Sequence, residues 1–332
     1  MDEIKLPNDM RDLLRASWHR FLDQVQPLRP QLHAYCRRLT NDLWDAEDLT
    51  QDSLLKAFGL LGRIDNPIRN PRAYLLRIAT HLWIDTLRRR EREREFDQHE
   101  EPTAMPTPDT GAAVRSAGAV LFHRLPPRER AALMLKDVFD MSLEETADVL
   151  ETTVGAVKAA LHRGRGRLRE PDTEEAPMRN LPSSALVDRF AECLQARDKA
   201  GLIDLVLGNA PAEVVGSGYQ FGPDMHGGEK SWFKGATTQH PEWPEWIRWE
   251  SMRAERVVYH GEPIILVFHM RKAIEYLEIV VRLEEEDGMV SSIRSYGFCP
   301  EVMREIGEAF AYRVNTGLYR YPTPAAGESY SD

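Results

Sequence analysis

The 332-residue sequence contains few cysteines, no long apolar run and no excess of positive charge. Its three cysteines, Cys36, Cys193 and Cys299, are far apart and form no CxxC or Cys/His spacing, which argues against a disulfide scaffold and a zinc ribbon. No apolar run approaches the roughly 20 residues of a membrane span, and charged residues occupy the N-terminus where a signal peptide would be apolar. We therefore expect a cytoplasmic protein without a membrane contact.

Positive charge is scarce overall but is unevenly distributed. The chain has 43 Lys and Arg against 53 Asp and Glu, for a net charge of −10. Residues 1–95 and 112–170 each carry a net charge of +2, residues 96–111 carry four acidic and no basic groups, and residues 171–332 carry −10. The N-terminal half is therefore the part suited to approach a polyanion.

Two proline-containing polar stretches, at 96–111 and 171–182, lack apolar periodicity and predict linkers. The predicted organisation is an N-terminal domain at 1–95, an acidic interdomain linker at 96–118, a helix-turn-helix domain at 119–170, a linker at 171–182 and a C-terminal domain at 183–332.

Helical periodicity dominates the first two domains. Leu28, Leu32, Tyr35 and Leu39 recur every three or four residues, which predicts a helical bundle. After residue 125, a capping box at 142–145 starts a short helix that is followed by a turn and a basic helix. This order is typical of a helix-turn-helix.

The C-terminal domain begins with two helices and continues with strand-like runs at 213–216, 257–259, 264–270, 276–283 and 290–296. Glu286, Asp287 and Gly288 predict a hairpin turn, and a last helix is predicted at 300–321. We expect two all-α domains followed by an α+β domain with one curved sheet.

Three polar clusters have two interpretations each. The acidic start of the helix at 45–61 indicates either simple capping and solvation or a docking face for a basic partner. Trp83 and His81, just before the basic run 88–94, indicate either a single-stranded DNA platform or a core tryptophan beside a solvated helix end. The basic helix after residue 153 is suited to binding DNA, but its sequence does not show which residues contact phosphates and which contact bases.

Three ordered segments together resemble regions 2 and 4 of the extracytoplasmic-function (ECF) sigma factors of bacterial RNA polymerase. They are LTNDLWDAEDLTQDSLLKAF (39–58), NPRAYLLRIATHLWIDTLRRR (70–90) and LPPRERAALMLKDVFDMSLEETADVLETTVGAVKAALHRGRGRLRE (125–170). The resemblance covers about half of the chain, with an acidic linker between the regions.

This resemblance implies three sets of contacts. Docking on the polymerase core is expected of Asp45, Glu47, Asp48, Gln51 and Asp52. Contacts with the opened minus-10 element are expected of Asn66, Arg69, Asn70, His81, Arg88 and Arg89. Contacts with the minus-35 element are expected of Thr153, Lys158, His162, Arg163 and Arg165.

Three positions depart from the family pattern. His81 stands where Asn is usual, which puts the strand-opening contacts in doubt. Glu151 stands at a turn position often held by Gly, a modest cost if its backbone is left-handed. Ala160 replaces a commonly basic residue and removes one possible phosphate contact.

The C-terminal domain resembles the SnoaL-like, NTF2-type cone domains fused to a subset of these sigma factors, through its helix and strand order and a short HGGEK stretch at 226–230. Such cones can hold an acid/base site, and the candidate residues are Tyr219, Asp224, His240 and Tyr296. The tryptophans at 232, 243, 246 and 249 are interpreted as packing or interface residues.

The sequence therefore predicts an ECF sigma factor that recognises promoters by binding, with no catalytic residue, cofactor or metal. Its expected partners are the bacterial RNA polymerase core and promoter DNA. The acidic C-terminal domain is expected to contact the sigma domains within the chain and to regulate them in cis. The alternative is a SnoaL-like enzyme or ligand sensor that a helix-turn-helix half tethers to DNA.

Overall fold

The computed structural model describes residues 8–61, 68–96, 125–168, 181–216, 218–220, 232–238 and 250–315. The described residues fall into two compact units, one between residues 8 and 168 and the other between residues 181 and 315. The described part of the first unit is helical, and that of the second combines helices with a sheet. The predicted fold class is thus confirmed.

The first unit begins with a bundle of helices. The described helices are α1 (Asn8–Val25), α2 (Arg29–Thr40), α3 (Leu43–Leu61) and α4 (Pro71–Phe96). Leu32, Tyr35 and Leu39, predicted to recur along one face of α2, are buried in the core. The side chain of Asp42 accepts hydrogen bonds from backbone N–H groups in the first turn of α3, and Asn70 caps α4 in the same way.

The same unit continues with the helix-turn-helix domain. Its elements are α5 (Pro127–Leu133), a π-helical segment (Met134–Val138), α6 (Leu143–Val149) and α7 (Val154–Arg167). The predicted capping box is confirmed: the Ser142 hydroxyl accepts from the Glu145 backbone N–H, and the Glu145 carboxylate accepts from the Ser142 backbone N–H. Thr153 caps α7, and Glu151 in the intervening turn has the left-handed φ of 48°.

The second unit is built on a six-stranded sheet. Its described elements are α8 (Ser184–Ala196), α9 (Lys199–Asp204), β1 (Ala212–Val214), β2 (Gly218–Gln220), α10 (Trp232–Thr237), β3 (Met252–Tyr259), β4 (Glu262–Arg271), β5 (Ile274–Glu286), β6 (Met289–Ser295) and α11 (Pro300–Phe310). The strand order is β2-β1-β6-β5-β4-β3, in which only the β1–β6 pair is parallel. Asp287 and Gly288 form the predicted β5–β6 turn, and both have positive φ, as a type I′ turn requires.

The sheet packs one face against α8 and α9. Val187, Phe190 and Leu202 from the helices share a buried cluster with Ile265 and Val281 from the sheet. This is the α+β arrangement that the change of periodicity predicts.

Two details differ from expectation. Helix α11 ends at Phe310 rather than at residue 321, because Ala311 takes a left-handed φ of 58° that terminates the helix. The short elements β2 and α10 were not predicted, since three to six residues carry too little periodicity to be distinguished. The domain boundaries themselves stay a prediction.

Candidate polymerase and nucleic-acid interface

The acidic helix α3 presents some of its predicted docking residues and hides one. Asp45, Asp48 and Gln51 are half-buried and Asp52 is exposed. Glu47 is fully buried: Arg29 donates to its carboxylate over 2.6 Å and Gln51 donates over 2.7 Å. In this conformation its side chain joins α2 to α3, so a contact between Glu47 and a partner is not available.

A sequence signal for this burial existed. Glu47 lies one turn after Leu43 and on the same helical line as Thr50 and Leu54, all of which are buried. The acidic composition of this stretch favours a surface position for all its carboxylates, whereas the helical spacing places the Glu47 carboxylate in the core.

The predicted minus-10 residues lie along α4 and its approach. Arg69, Asn70, Arg88 and Arg89 are all exposed, and Asn70 also serves as the cap of α4. Asn66 lies outside the described residues. Trp83 has an exposed fraction of only 4%, and the Arg130 guanidinium lies 5.1 Å from the centroid of its ring. Of the two interpretations of Trp83, the core tryptophan is correct.

His81 and Glu151, two of the departures from the family pattern, face each other. The His81 imidazole lies 3.7 Å from the Glu151 carboxylate, and the Arg77 guanidinium lies 3.9 Å from it. The left-handed turn of the helix-turn-helix therefore places an acidic side chain against the face of α4 that carries His81. The third departure, Ala160, is buried in the core of its own domain.

A buried contact joins the bundle to the helix-turn-helix domain. Arg130 donates to the Leu39 carbonyl over 2.8 Å, and burial lowers the pKa of its guanidinium to about 10. Next to it, the Phe139 ring packs edge-on against Tyr35 and lies beneath the Arg38 guanidinium. These residues hold the two domains of the first unit together.

The basic helix α7 and its cap Thr153 expose all five predicted minus-35 residues, but three arginines of the helix are already paired with acidic side chains. Arg163 donates to Glu129 over 2.8 Å, and Arg167 donates to the second oxygen of the same carboxylate over 2.8 Å. Arg165 donates to both oxygens of Asp137, over 3.1 and 2.6 Å. These acidic partners were missed, because about 30 residues separate them from α7 and no local spacing connects them.

Known proteins match this arrangement of domains. The family Sigma-70 region 2 matches residues 24–93, and the family Sigma-70, region 4 matches residues 120–168. The ECF RNA polymerase sigma factor SigG of Mycobacterium tuberculosis is 28% identical over 288 residues, which cover 75% of this chain and 73% of that protein. The RNA polymerase sigma-E factor of Streptomyces coelicolor is 31% identical over 166 residues, which cover 50% of this chain and 91% of that protein. The chain belongs to the ECF sigma factors of RNA polymerase.

The crystal structure of the ECF sigma factor SigJ of Mycobacterium tuberculosis is similar over 83% of this chain and 95% of that chain, with 20% identity and a TM-score of 0.32.

As an ECF sigma factor, the protein directs promoter recognition and transcription initiation. The bundle corresponds to region 2 and the helix-turn-helix domain to region 4.

The sheet domain of this ECF sigma factor holds few of the acid/base candidates in its described part. Asp224 and His240 lie outside the described residues, and so do the tryptophans at 243, 246 and 249. Tyr219 lies on β2. Tyr296 is fully buried, and Arg282 donates to its hydroxyl over 3.4 Å.

The sheet domain also contains a buried carboxylate at Glu278. Burial alone would raise the pKa of Glu278, but hydrogen bonds from Arg271, His269 and Asn315 outweigh it and lower the pKa to about 2. A carboxylate held ionised in this way is a poor proton donor or acceptor near neutral pH, so this cluster is suited to stabilising the fold.

Membrane and metal features are absent from the described residues. None of the described helices is long and apolar enough to cross a membrane, and the described side chains include no group of three His, Cys, Asp or Glu suited to a metal ion.

Proposed function

We propose that this ECF sigma factor binds the polymerase core through the half-buried and exposed acids of α3 and contacts the promoter through α4 and α7, in the cytoplasm and without a reaction of its own. The observation that carries the proposal is that one chain contains both an acidic helix face, on α3, and a separate, exposed basic helix, α7. Asp48 and Asp52 supply charge for a basic partner, and Lys158 and His162 supply exposed groups for DNA.

In this division of labour the core polymerase supplies part of the electrostatic attraction to DNA. The first 95 residues and residues 112–170 carry a net charge of only +2 each. Counterion release scales with the number of phosphates that a protein neutralises. Because the net positive charge of these domains is small, the isolated chain is expected to bind DNA weakly. The proposal therefore expects strong promoter binding only from the complex of the chain with core polymerase.

A transcription assay tests this proposal. Purified full chain with core polymerase should give specific transcripts from a library of genomic fragments, and core polymerase alone should not. The variant D48A/D52A should weaken core binding, with K56A on the same helix as a control for surface substitution. Unchanged core affinity of D48A/D52A would contradict the docking face, and the absence of any specific transcript would contradict the promoter role.

We further propose that the sheet domain regulates the sigma domains in cis. Residues 171–332 carry a charge of −10, whereas the two sigma domains carry +2 each. The match to SigG spans 288 residues, more than the sigma regions alone contain, so that relative shares part of the sheet domain as well. A linker of about a dozen residues keeps the local concentration of the two units near the millimolar range, at which weak contacts are populated.

Cleavage of the linker tests the regulation. A recognition site for a specific protease is placed within residues 171–180 of the full chain, and transcription is compared before and after the cut. A matched chain with an uncleavable site is the control. Increased activity after the cut indicates inhibition by the sheet domain and decreased activity indicates activation, whereas unchanged activity contradicts regulation in cis.

A further inference from the structure

A buried carboxylate lies beneath the docking face proposed for α3. Glu47 is fully buried, whereas Gln51, one helical turn later, is partly exposed. The Arg29 guanidinium donates to Glu47 Oε1 over 2.6 Å, and His33 Nε2 lies 3.5 Å from Glu47 Oε2. Because these contacts from α2 hold the carboxylate in the core, any effect of Glu47 on a partner must pass through a neighbouring side chain.

Gln51 is that neighbour, and its orientation follows from the chemistry of the pair. Gln51 Nε2 donates to Glu47 Oε1 over 2.7 Å. A carboxylate only accepts hydrogen bonds, whereas an amide has a donor end and an acceptor end. Glu47 therefore selects the NH2 end of the Gln51 amide and turns the carbonyl oxygen away from itself. Among the described residues, none donates a hydrogen bond to that carbonyl oxygen.

The carbonyl oxygen of Gln51 adds to a surface that consists of acceptors. On α3, Asp48 neighbours both Gln51, three positions later, and Asp52, four positions later. Ionised carboxylates offer acceptors only. A freely rotating Gln51 amide would place its NH2 group among these acceptors in part of the molecules, where it would oppose a donor from the partner. An amide that is already held in one orientation also loses less conformational freedom on binding.

We propose that Glu47 is a positioning residue for core binding: it orients the Gln51 amide so that the carbonyl oxygen accepts a hydrogen bond from the polymerase core. This inference rests on the docking function proposed for α3 and deepens it. The matching group on the core is a hydrogen-bond donor, and the adjoining carboxylates of Asp48 and Asp52 favour a cationic one. Glu47 thus contributes to docking without touching the partner.

A double-mutant cycle on core affinity tests this role in the full chain. A glutamine at position 47 can present either end of its own amide, so it no longer selects the orientation of Gln51. E47Q should weaken binding to core polymerase by about fivefold when Gln51 is present. In a Q51A background the same substitution should change the affinity by less than about twofold, because its effect passes through the missing side chain. A purely structural role of Glu47 predicts equal losses in both backgrounds.

A second variant and a control separate positioning from stability. E47D keeps the counter-charge of Arg29 but shortens the reach to Gln51, so it should give the same non-additive cycle where E47Q folds poorly. T50V is the matched control, since Thr50 is buried on the same helix and donates to the Ala46 carbonyl over 2.7 Å. It should leave core affinity within about twofold of its parent in both backgrounds.

The orientation itself is measurable in the wild-type chain. In NMR spectra of the full chain with labelled glutamine, the side-chain NH2 group of Gln51 should exchange with solvent at least about tenfold more slowly than that of Gln31. Gln31 is an exposed glutamine on α2 and serves as the reference. Equal exchange of the two groups would overturn the hydrogen bond that fixes the amide.

The outcomes distinguish this inference from the proposed function. Full core affinity of both D48A/D52A and Q51A would overturn the docking face and the positioning role together. Loss of affinity in D48A/D52A and Q51A, with full affinity of E47Q and E47D, would overturn the positioning role alone. Equal losses from E47D with and without Gln51 would also overturn it, because they would assign Glu47 to the stability of α3.

Discussion

Two carboxylates in this chain, Glu129 in region 4 and Glu278 in the sheet domain, are buried and each contact two basic residues: Arg163 and Arg167 in the first case, Arg271 and His269 in the second. The difference lies in the exposure of these partner side chains. Arg163 and Arg167 keep exposed side-chain fractions of 56% and 44% beside Glu129, whereas Arg271 and His269 keep 14% and 8% beside Glu278. Exposure of the partner side chains thus distinguishes a cluster that can offer its charge to a partner from one that only stabilises the fold.

The largest effect is expected at Glu278. E278Q should lower the free energy of unfolding of the sheet domain by about 3 kcal/mol, because it leaves the largely buried Arg271 guanidinium without its counter-charge. The matched control is E275Q on the same strand, whose side chain is 38% exposed and pairs with Arg253, and which should cost less than about 1 kcal/mol. Urea unfolding monitored by hydrogen exchange measures the loss of stability in both variants. Equal losses would show that burial of the carboxylate does not determine the size of the loss.

The same carboxylate predicts an acid dependence. Its folded pKa of about 2 lies below the ordinary value of 4.5, so its stabilising contribution is present above about pH 4.5 and is lost as the pH falls toward 2. Unfolding of the wild-type sheet domain measured between pH 7 and pH 3 should therefore show a steeper loss of stability than E278Q. Parallel curves for the two proteins would contradict the low pKa.

An intermediate effect is expected at Arg130, which lies buried between region 2 and region 4. R130L should weaken the contact between the two domains by about 2 kcal/mol, since the Leu39 carbonyl loses its donor. Distance measurements between labels on α2 and α7 of the full chain should show a more separated population. R128L, at an exposed position on the same helix, is the control and should leave the distances unchanged.

A smaller effect is expected at Glu129. E129Q should lower the free energy of unfolding by about 1 kcal/mol, because its arginine partners remain hydrated when the charge is lost. E144Q on the exposed side of α6 is the control for removing one acid from this domain. A loss at Glu129 as large as that at Glu278 would break the distinction between the two clusters.

The smallest net effect is expected at Glu151. E151G relieves a left-handed backbone while removing the long contacts with Arg77 and His81, so overall stability should change by less than about 1 kcal/mol. A double-mutant cycle with H81A separates the two contributions. Strict additivity in that cycle would show that His81 and Glu151 do not interact.

Much of the fold was predictable because it depends on local spacing. The capping box at Ser142, the turn at Asp287 and the order of short helix, turn and basic helix each occupy a few adjacent residues, and the structure confirms them. Glu151 was noted, through the family resemblance, at a turn position often held by Gly, and its φ of 48° is left-handed. Local rules suffice for such features, since the interacting groups are neighbours in the chain.

The remaining features depend on partners that are distant in sequence. Burial of Glu47 requires Arg29 on another helix, and the pairing of Arg163 requires Glu129, 34 residues earlier. The position of Trp83 beneath Arg130 depends on packing between two domains. No composition or periodicity in one segment shows which distant side chain will meet it, so the contacts that the predicted site residues make within the chain were not foreseen.

The packing between region 2 and region 4 depends on the number of residues in the π-helical segment Met134–Val138. A π turn contains one residue more than an α turn, and each residue turns the chain by about 100° around the helix axis. Asp137, which holds Arg165, lies within this turn, and Phe139, which packs on Tyr35 of region 2, follows it directly. Deleting a single residue here would restore a regular helix and rotate both side chains away from their partners. The orientation of α7 and the packing between the two domains therefore depend on the number of residues in this one turn as well as on their chemistry.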